Sequence, residues 1–382
     1  MTRLLTLSAV VALSGAAFAE PPAQPWPADV EKALTRAQDN RPQLERALKA
    51  VSGDRRVGMS FLVANMPDGD LTTLKADFLV TNVELAYRAR GEVPWGKDVP
   101  DDVFLNDVLP YANVDEKRDA WRREFYDLCL PIAKRCKTPS EAAHKLNVEI
   151  FPMLKVGYST QRRAPNQSPS ESIEQGKASC TGLSIVLSDA CRAVCVPARL
   201  VGTPLWANKR GNHTWVEIWD RDWRFTGACE PDKNGLDRGW FVGDAAQARK
   251  DSFEHAIYAA SFRKTRIHFP LVWAMGNKTV PAENVTDRYA KPAPKGSTAK
   301  IFVRVVTEAR SRVEVAVTVT AAGAVKPHAE GKSRGERADL NDLLTFELPP
   351  DREFVVKAEG TAKAVKTGPA GGQQTVEIVV KR

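Results

Sequence analysis

Apolar positions in the first part of the chain recur at helical spacing. Ala28–Leu34 and Gln43–Val51 are short amphipathic runs, separated by Asp39-Asn40-Arg41-Pro42, which stops one helix and restarts another. Pro67-Asp68-Gly69-Asp70 reads as a turn with a capping carboxylate. After it Leu71, Leu74, Phe78 and Leu85 share one helical face, which Asn82 interrupts. Helices are also predicted over Glu116–Leu130, stopped by Pro131, and over Ser140–Phe151, where Ser140 and Glu141 suit a helix start. No chemistry converges here, so this region is expected to build a wall or a lid. Gln161–Ser172, with two prolines and three serines, reads as an exposed loop.

The period changes towards the end. Val313, Val315, Val317 and Val319 alternate with polar or small residues, Phe354–Lys357 is a short strand, and Val376, Ile378 and Val380 alternate again. Short strands with Gly/Pro punctuation predict a small β-sandwich. Ala290–Thr298, with Pro292, Pro294 and Gly296 among lysines, is the expected linker ahead of it. The chain therefore reads as α+β, with an N-terminal helical region (20–110), a core (111–289), a linker (290–298) and a sandwich-like domain (299–382).

A length of 382 residues suits two or three domains, and 43% hydrophobic with 27% charged residues is globular composition. The net charge of +8 is spread along the chain, with no Lys/Arg block, so no nucleic-acid partner is expected. Arg3, the mostly apolar Leu4–Ala12 and Ala17-Phe18-Ala19 compose a signal peptide over residues 1–19. The expected location is secreted or periplasmic after cleavage near Ala19. Glu20 rather than Cys follows the cut, so no lipid anchor is expected. No later stretch approaches the ~20 apolar residues of a membrane span. The six cysteines (129, 136, 180, 191, 195, 229) contain no C-x2-C pair and the five histidines are scattered, so neither a metal site nor a cofactor is expected. Cys129, Cys136 and Cys191 read as small buried apolar residues.

Cys180 reads differently. Leu183, Val186, Leu187, Ala190, Cys191 and Val194 follow it at the spacing of one buried helical face, and Ser179 is a good N-cap. A cysteine in that first turn faces unpaired N–H groups and the positive end of the helix dipole, which predicts a lowered thiol pKa. Gly176 and Gly182 keep bulk away on both sides. Downstream, Val216 and Ile218 alternate against Trp215, Glu217 and Trp219, marking a strand that begins at His213, a candidate general base. Such a pair needs a third group to hold the imidazole. If Asp220 faces Trp223 across a two-residue turn, Glu230 falls opposite His213, with Asp232 on the same face as an alternative acid. A three-residue loop would instead place Cys229 there. Gln175 is a possible oxyanion donor beside the Cys180 backbone N–H.

Ala178-Ser179-Cys180-Thr181-Gly182, then Cys191-Arg192-Ala193-Val194-Cys195-Val196-Pro197-Ala198-Arg199, then Asn212-His213-Thr214-Trp215-Val216-Glu217 together resemble the core of the transglutaminase-like superfamily, as found in secreted bacterial proteins. The resemblance covers roughly residues 170–245. It implies a papain/transglutaminase-like core with a helix-borne Cys packed on an antiparallel sheet, and a thiol triad of Cys180, His213 and an acid. Two positions depart from the family pattern. Cys195 stands where the family has Gly in a left-handed helix cap, and Thr226-Gly227-Ala228 stand where its Asp usually lies, with Glu230-Pro231 later. The implied activity is thiol-dependent acyl transfer on the amide bonds of a protein or peptide substrate, including cell-envelope material. A peptidase or amidase with a Cys-His-Glu triad is the first reading, a protein-crosslinking transglutaminase the second, and a non-catalytic scaffold keeping the fold the third.

Overall fold

The computed structural model describes residues 26–291 and 297–381. The expected signal segment lies outside these residues, as do positions 292–296 of the expected linker. No helix among the described residues is long and apolar enough to cross a membrane.

Helices Ala28–Arg36, Arg41–Ala50, Asp54–Asn65 and Ala76–Glu92 pack on one another, Ala76–Glu92 packs on Trp121–Ala133, and Trp121–Ala133 and Pro139–Leu154 pack on each other and on Cys180–Ala193. One continuous apolar core, including Leu48, Leu79, Phe125, Leu146 and Leu187, runs through all of them. The N-terminal region is therefore a wall behind the Cys180 helix. The interruption at Asn82 has a cause: its side chain donates to Leu109 O (2.8 Å) and accepts from Arg122 Nε (2.6 Å). Arg122 is buried and spends its other donors on the carbonyls of Val108, Pro110 and Arg192. Pro67-Asp68-Gly69-Asp70 is not an open turn, because Asp68–Thr73 is itself a short helix. The 121–133 helix begins later than its pattern suggested and continues through Pro131. Thr138, not Ser140, caps the next helix, accepting from Glu141 N at 3.1 Å. Within the predicted 161–172 loop, Ser168 and Glu171 close a capping box that starts helix Pro169–Gln175.

The Cys180 helix ends in a Schellman motif. Cys195 N bonds to Arg192 O (3.3 Å), Val196 N to Cys191 O (2.9 Å), and Cys195 takes φ 57°. A cysteine thus occupies the left-handed position where the family pattern has glycine. Beside the helix lies a six-stranded antiparallel sheet ordered Trp223–Thr226, His213–Trp219, Ala198–Thr203, Tyr258–Ala260, Pro281–Asn284 and Ile267–His268. Arg199 and Glu217 face each other in its middle, with Nε to Oε2 at 2.9 Å and both side chains almost fully buried. Tyr289 OH also donates to Glu217 (2.7 Å).

After the 292–296 segment come seven strands in two sheets. One is ordered 329–332, 316–321, 353–358, 361–366, and the other 344–348, 299–307, 373–380, the last pair parallel. Their facing residues, Val303, Val317, Phe354 and Ile378 among them, form a separate apolar core. This is the expected sandwich.

Replacing Glu217 by Leu strands the buried Arg199 guanidinium without its main counter-charge. The expected cost is about 3 kcal/mol in urea unfolding, and the Arg199→Met/Glu217→Leu double variant should recover most of it. A single variant no less stable than the double would contradict this account.

Candidate functional site

Cys180 opens its helix as predicted. Ser179 is the N-cap, with Oγ accepting from Gly182 N (3.0 Å) and its hydroxyl donating to Pro165 O. Every other residue of that helix is buried, while Cys180 itself is half-buried. The helix is tied to the His213 strand by Thr181 Oγ1–Thr214 Oγ1 (3.0 Å) and Ser184 Oγ to Thr214 O (3.3 Å). Cys180 and His213 line a common chamber of about 550 Å3 and, on another side, a second cavity of about 300 Å3. Glu230, Trp240, Tyr158, Arg162 and Asp339 also face the larger one.

The third position differs from the expected triad. Trp219 pairs with Trp223, not Asp220 with Trp223, so the loop is Asp220-Arg221-Asp222. Arg221 sits in it at φ 64°. The ladder then stops at Thr226. Asn147 holds the chain in a turn there, donating to Thr226 Oγ1 (3.1 Å) and Gly227 O (2.8 Å) and accepting from Cys229 N (2.8 Å). Cys229 is left-handed and Gly227 bridges to Glu230. Neither Glu230 nor Cys229 is therefore a cross-strand neighbour of His213. Glu230 reaches the chamber all the same, and its Oε2 accepts from Trp240 Nε1 (2.9 Å). Asp232 is outside the chamber, accepting from Asn234 N (2.8 Å). Gln175 is outside too: its amide joins Arg163 N (3.0 Å) and Gln161 O (3.3 Å), bracing a loop rather than facing an oxyanion.

His213 sits instead in a box of rings, with centroids of Trp240 at 4.7 Å, Phe241 at 4.9 Å and Trp215 at 5.8 Å. It is 5% exposed, and its Nε2 is buried without a hydrogen-bond partner among the described residues. Desolvation pushes its pKa down to about 3, although Asp339 pulls the other way and Arg210 adds to the fall. Burial likewise pushes the Cys180 thiol up, outweighing the backbone N–H groups of Thr214 and Thr181 and the charge of Arg162. The lowered thiol expected from the helix end is thus reversed by desolvation.

The chamber was only half foreseen, because Tyr158 and Asp339 enter from elsewhere. Gly157–Tyr158 pairs in parallel with Lys177–Ala178, just ahead of the Cys180 helix. Asp339 lies on the sandwich, its carboxylate accepting from Tyr158 OH and from Asn341 N (2.7 Å).

The His213 shift makes a stability prediction. Unfolded, the ring takes up a proton below about pH 6.5, whereas the folded ring stays neutral to about pH 3. Stability is then lost as pH falls through that window, by up to about 1.4 kcal/mol per pH unit. Thermal melts from pH 7 to 4 should show a shallower decline for His213→Gln than for the parent chain. Parallel declines would mean that the ring titrates in the folded protein.

Residues 126–245 match the family described as the transglutaminase-like superfamily. No curated protein matches the chain. Among solved structures, it is similar to a protein of Cytophaga hutchinsonii described as a putative cysteine protease, at 17% identity over 38% of this chain and 48% of that one, with a TM-score of 0.28. It is also similar to red sea bream transglutaminase, at 11% identity over 72% and 65% of the two chains, with a TM-score of 0.34. The chain thus spans about half the length of the first and about two thirds of the second. The segment carrying Cys180 and His213 belongs to the transglutaminase-like superfamily.

Proposed function

We propose that the chain is a thiol-dependent acyl-transfer enzyme acting on amide bonds, a peptidase or amidase of protein or peptide substrates outside the cytoplasm. The observation that carries this reading is the placement of Cys180, in the first turn of a buried helix, and His213, on the strand bonded to that helix, around one chamber. With Nε2 of His213 sealed among rings, Nδ1 is the nitrogen left for proton exchange with Sγ. In the first half-reaction the Sγ–H proton moves to Nδ1 as sulfur attacks the carbonyl carbon. The oxyanion takes the Cys180 backbone N–H at the helix start. The imidazolium returns its proton to the leaving amine, the C–N bond breaks, and a thioester remains. Water then gives a proton to Nδ1 and attacks the thioester, and the acid product leaves as sulfur regains its proton.

The pair works as a dyad. Trp240 and Phe241 pack on the His213 ring, with centroids at 4.7 and 4.9 Å, so rings hold the imidazole where a triad would use a carboxylate. Glu230 acts through Trp240, whose indole it holds against His213.

On a chromogenic acyl probe such as p-nitrophenyl acetate, Cys180→Ser and His213→Gln should each lose at least about 10³-fold in kcat/KM. Glu230→Gln should lose far less, since no ion pair with His213 is removed. Added primary amine that diverts the acyl group from water to a stable amide would assign the chain to crosslinking instead. A parent chain no faster than Cys180→Ser would leave the scaffold reading.

A further inference from the structure

The segment Ser333–Leu343 of the sandwich joins strand 329–332 to strand 344–348 and lies across the mouth of the Cys180 chamber. Two hydrogen bonds seat its tip on the residues that carry His213. Asn341 Nδ2 donates to Asn212 O (2.8 Å), the carbonyl immediately before His213. Asn341 Oδ1 accepts from Trp206 Nε1 (3.0 Å), and Trp206 stacks on Trp215, whose ring packs against His213. A third bond, Thr160 Oγ1 to Arg337 O (2.9 Å), holds the segment further along.

The receiving side is shaped for this contact. A Cβ built on Gly211 would meet Asn341 Oδ1 at 2.5 Å, so glycine at 211 is what lets the amide approach. Arg312 fixes the other face of the segment through the carbonyls of Ala338 and Asp339 (2.9 Å for the latter). The segment is therefore held from both domains. The amide meets the chain at the one residue whose backbone sets where the His213 strand begins.

Among the described residues His213 Nε2 has no hydrogen-bond partner to fix the ring, and Glu230 is engaged by Trp240. A base in a dyad still has to be held within a fraction of an ångström of its thiol. We propose that Asn341, carried by the C-terminal sandwich, is a positioning residue for His213, doing through the Asn212 carbonyl and the Trp206 ring what an orienting acid does in a triad. Asn341 touches no reacting atom; it acts through the strand start. The role rests on the acyl-transfer reading above, and it lies outside residues 126–245, the part of the chain that matches the family.

The test uses the full chain with Asn341→Ala, Asn341→Asp and Gly211→Ala, and His213→Gln as the reference for complete loss. Two quantities are read: steady-state turnover of p-nitrophenyl acetate, and the rate of Cys180 alkylation by iodoacetamide at pH 7, mapped by mass spectrometry. Asn341→Ala and Gly211→Ala should lower kcat on the order of 10²-fold with KM within about twofold, and slow alkylation in parallel, at thermal midpoints close to the parent's. Asn341→Asp keeps the acceptor for Trp206 but removes the donor to Asn212, so it should behave like Asn341→Ala. Three results would overturn the proposal: parental kcat and alkylation in Asn341→Ala, a rise in KM alone, or full recovery in Asn341→Asp. The alkylation rate reports the seating of His213 against Cys180 whether or not the ester is turned over. A parent chain that ignores the ester would therefore count against the acyl-transfer reading and leave the alkylation result to decide on Asn341.

Discussion

The site depends on a helix that is buried along its whole length except at its first residue. Cys180–Ala193 is enclosed by the N-terminal helices on one side and by the sheet on the other, so its axis cannot tilt without disturbing both. Ser179 fixes where it starts, and the Schellman turn at Cys195 fixes where it stops. The hydroxyl bonds from Thr181 and Ser184 then lock it to the strand at Thr214. A thiol at the one open end of such a rod is placed by the packing of the entire core rather than by a flexible loop.

Enclosure also sets the electrostatics. The N–H groups at the helix start favour a thiolate, yet burial outweighs them and pushes the Cys180 thiol up, while the same withdrawal from water pushes the His213 imidazole down.

Local chemistry was readable in the chain, and non-local chemistry was not. Ser179 before Cys180 and the apolar spacing after it defined the helix, because capping and periodicity act within a few residues. His213 at a strand start was readable for the same reason. The return from that strand was misread because the loop puts Arg221, not glycine or asparagine, in the left-handed position that a three-residue loop needs. What ends the ladder at Thr226 is Asn147, some eighty residues earlier, so no local pattern announces it. The sign of the thiol shift failed similarly, since desolvation is a property of the assembled core. Gln175 is near Cys180 in sequence, but its amide is taken by Arg163 and Gln161. The sandwich was legible as strands, but nothing in its alternation revealed that one of its connections lines the chamber of Cys180 and His213.

That crossing bears on when the site comes into being during synthesis. Segment 333–343 is held by strand 344–348, which pairs with 299–307, and 299–307 is completed on its other edge by the parallel strand 373–380 at the end of the described chain. Parallel pairing across so long a separation is slow and comes late, because it waits for distant chain to arrive. Cys180 and His213 can therefore be folded and adjacent well before the chain that covers them has been made. In that interval the cleft is open on the side Asn341 later occupies, and the last strand to form determines when the mature cleft is closed.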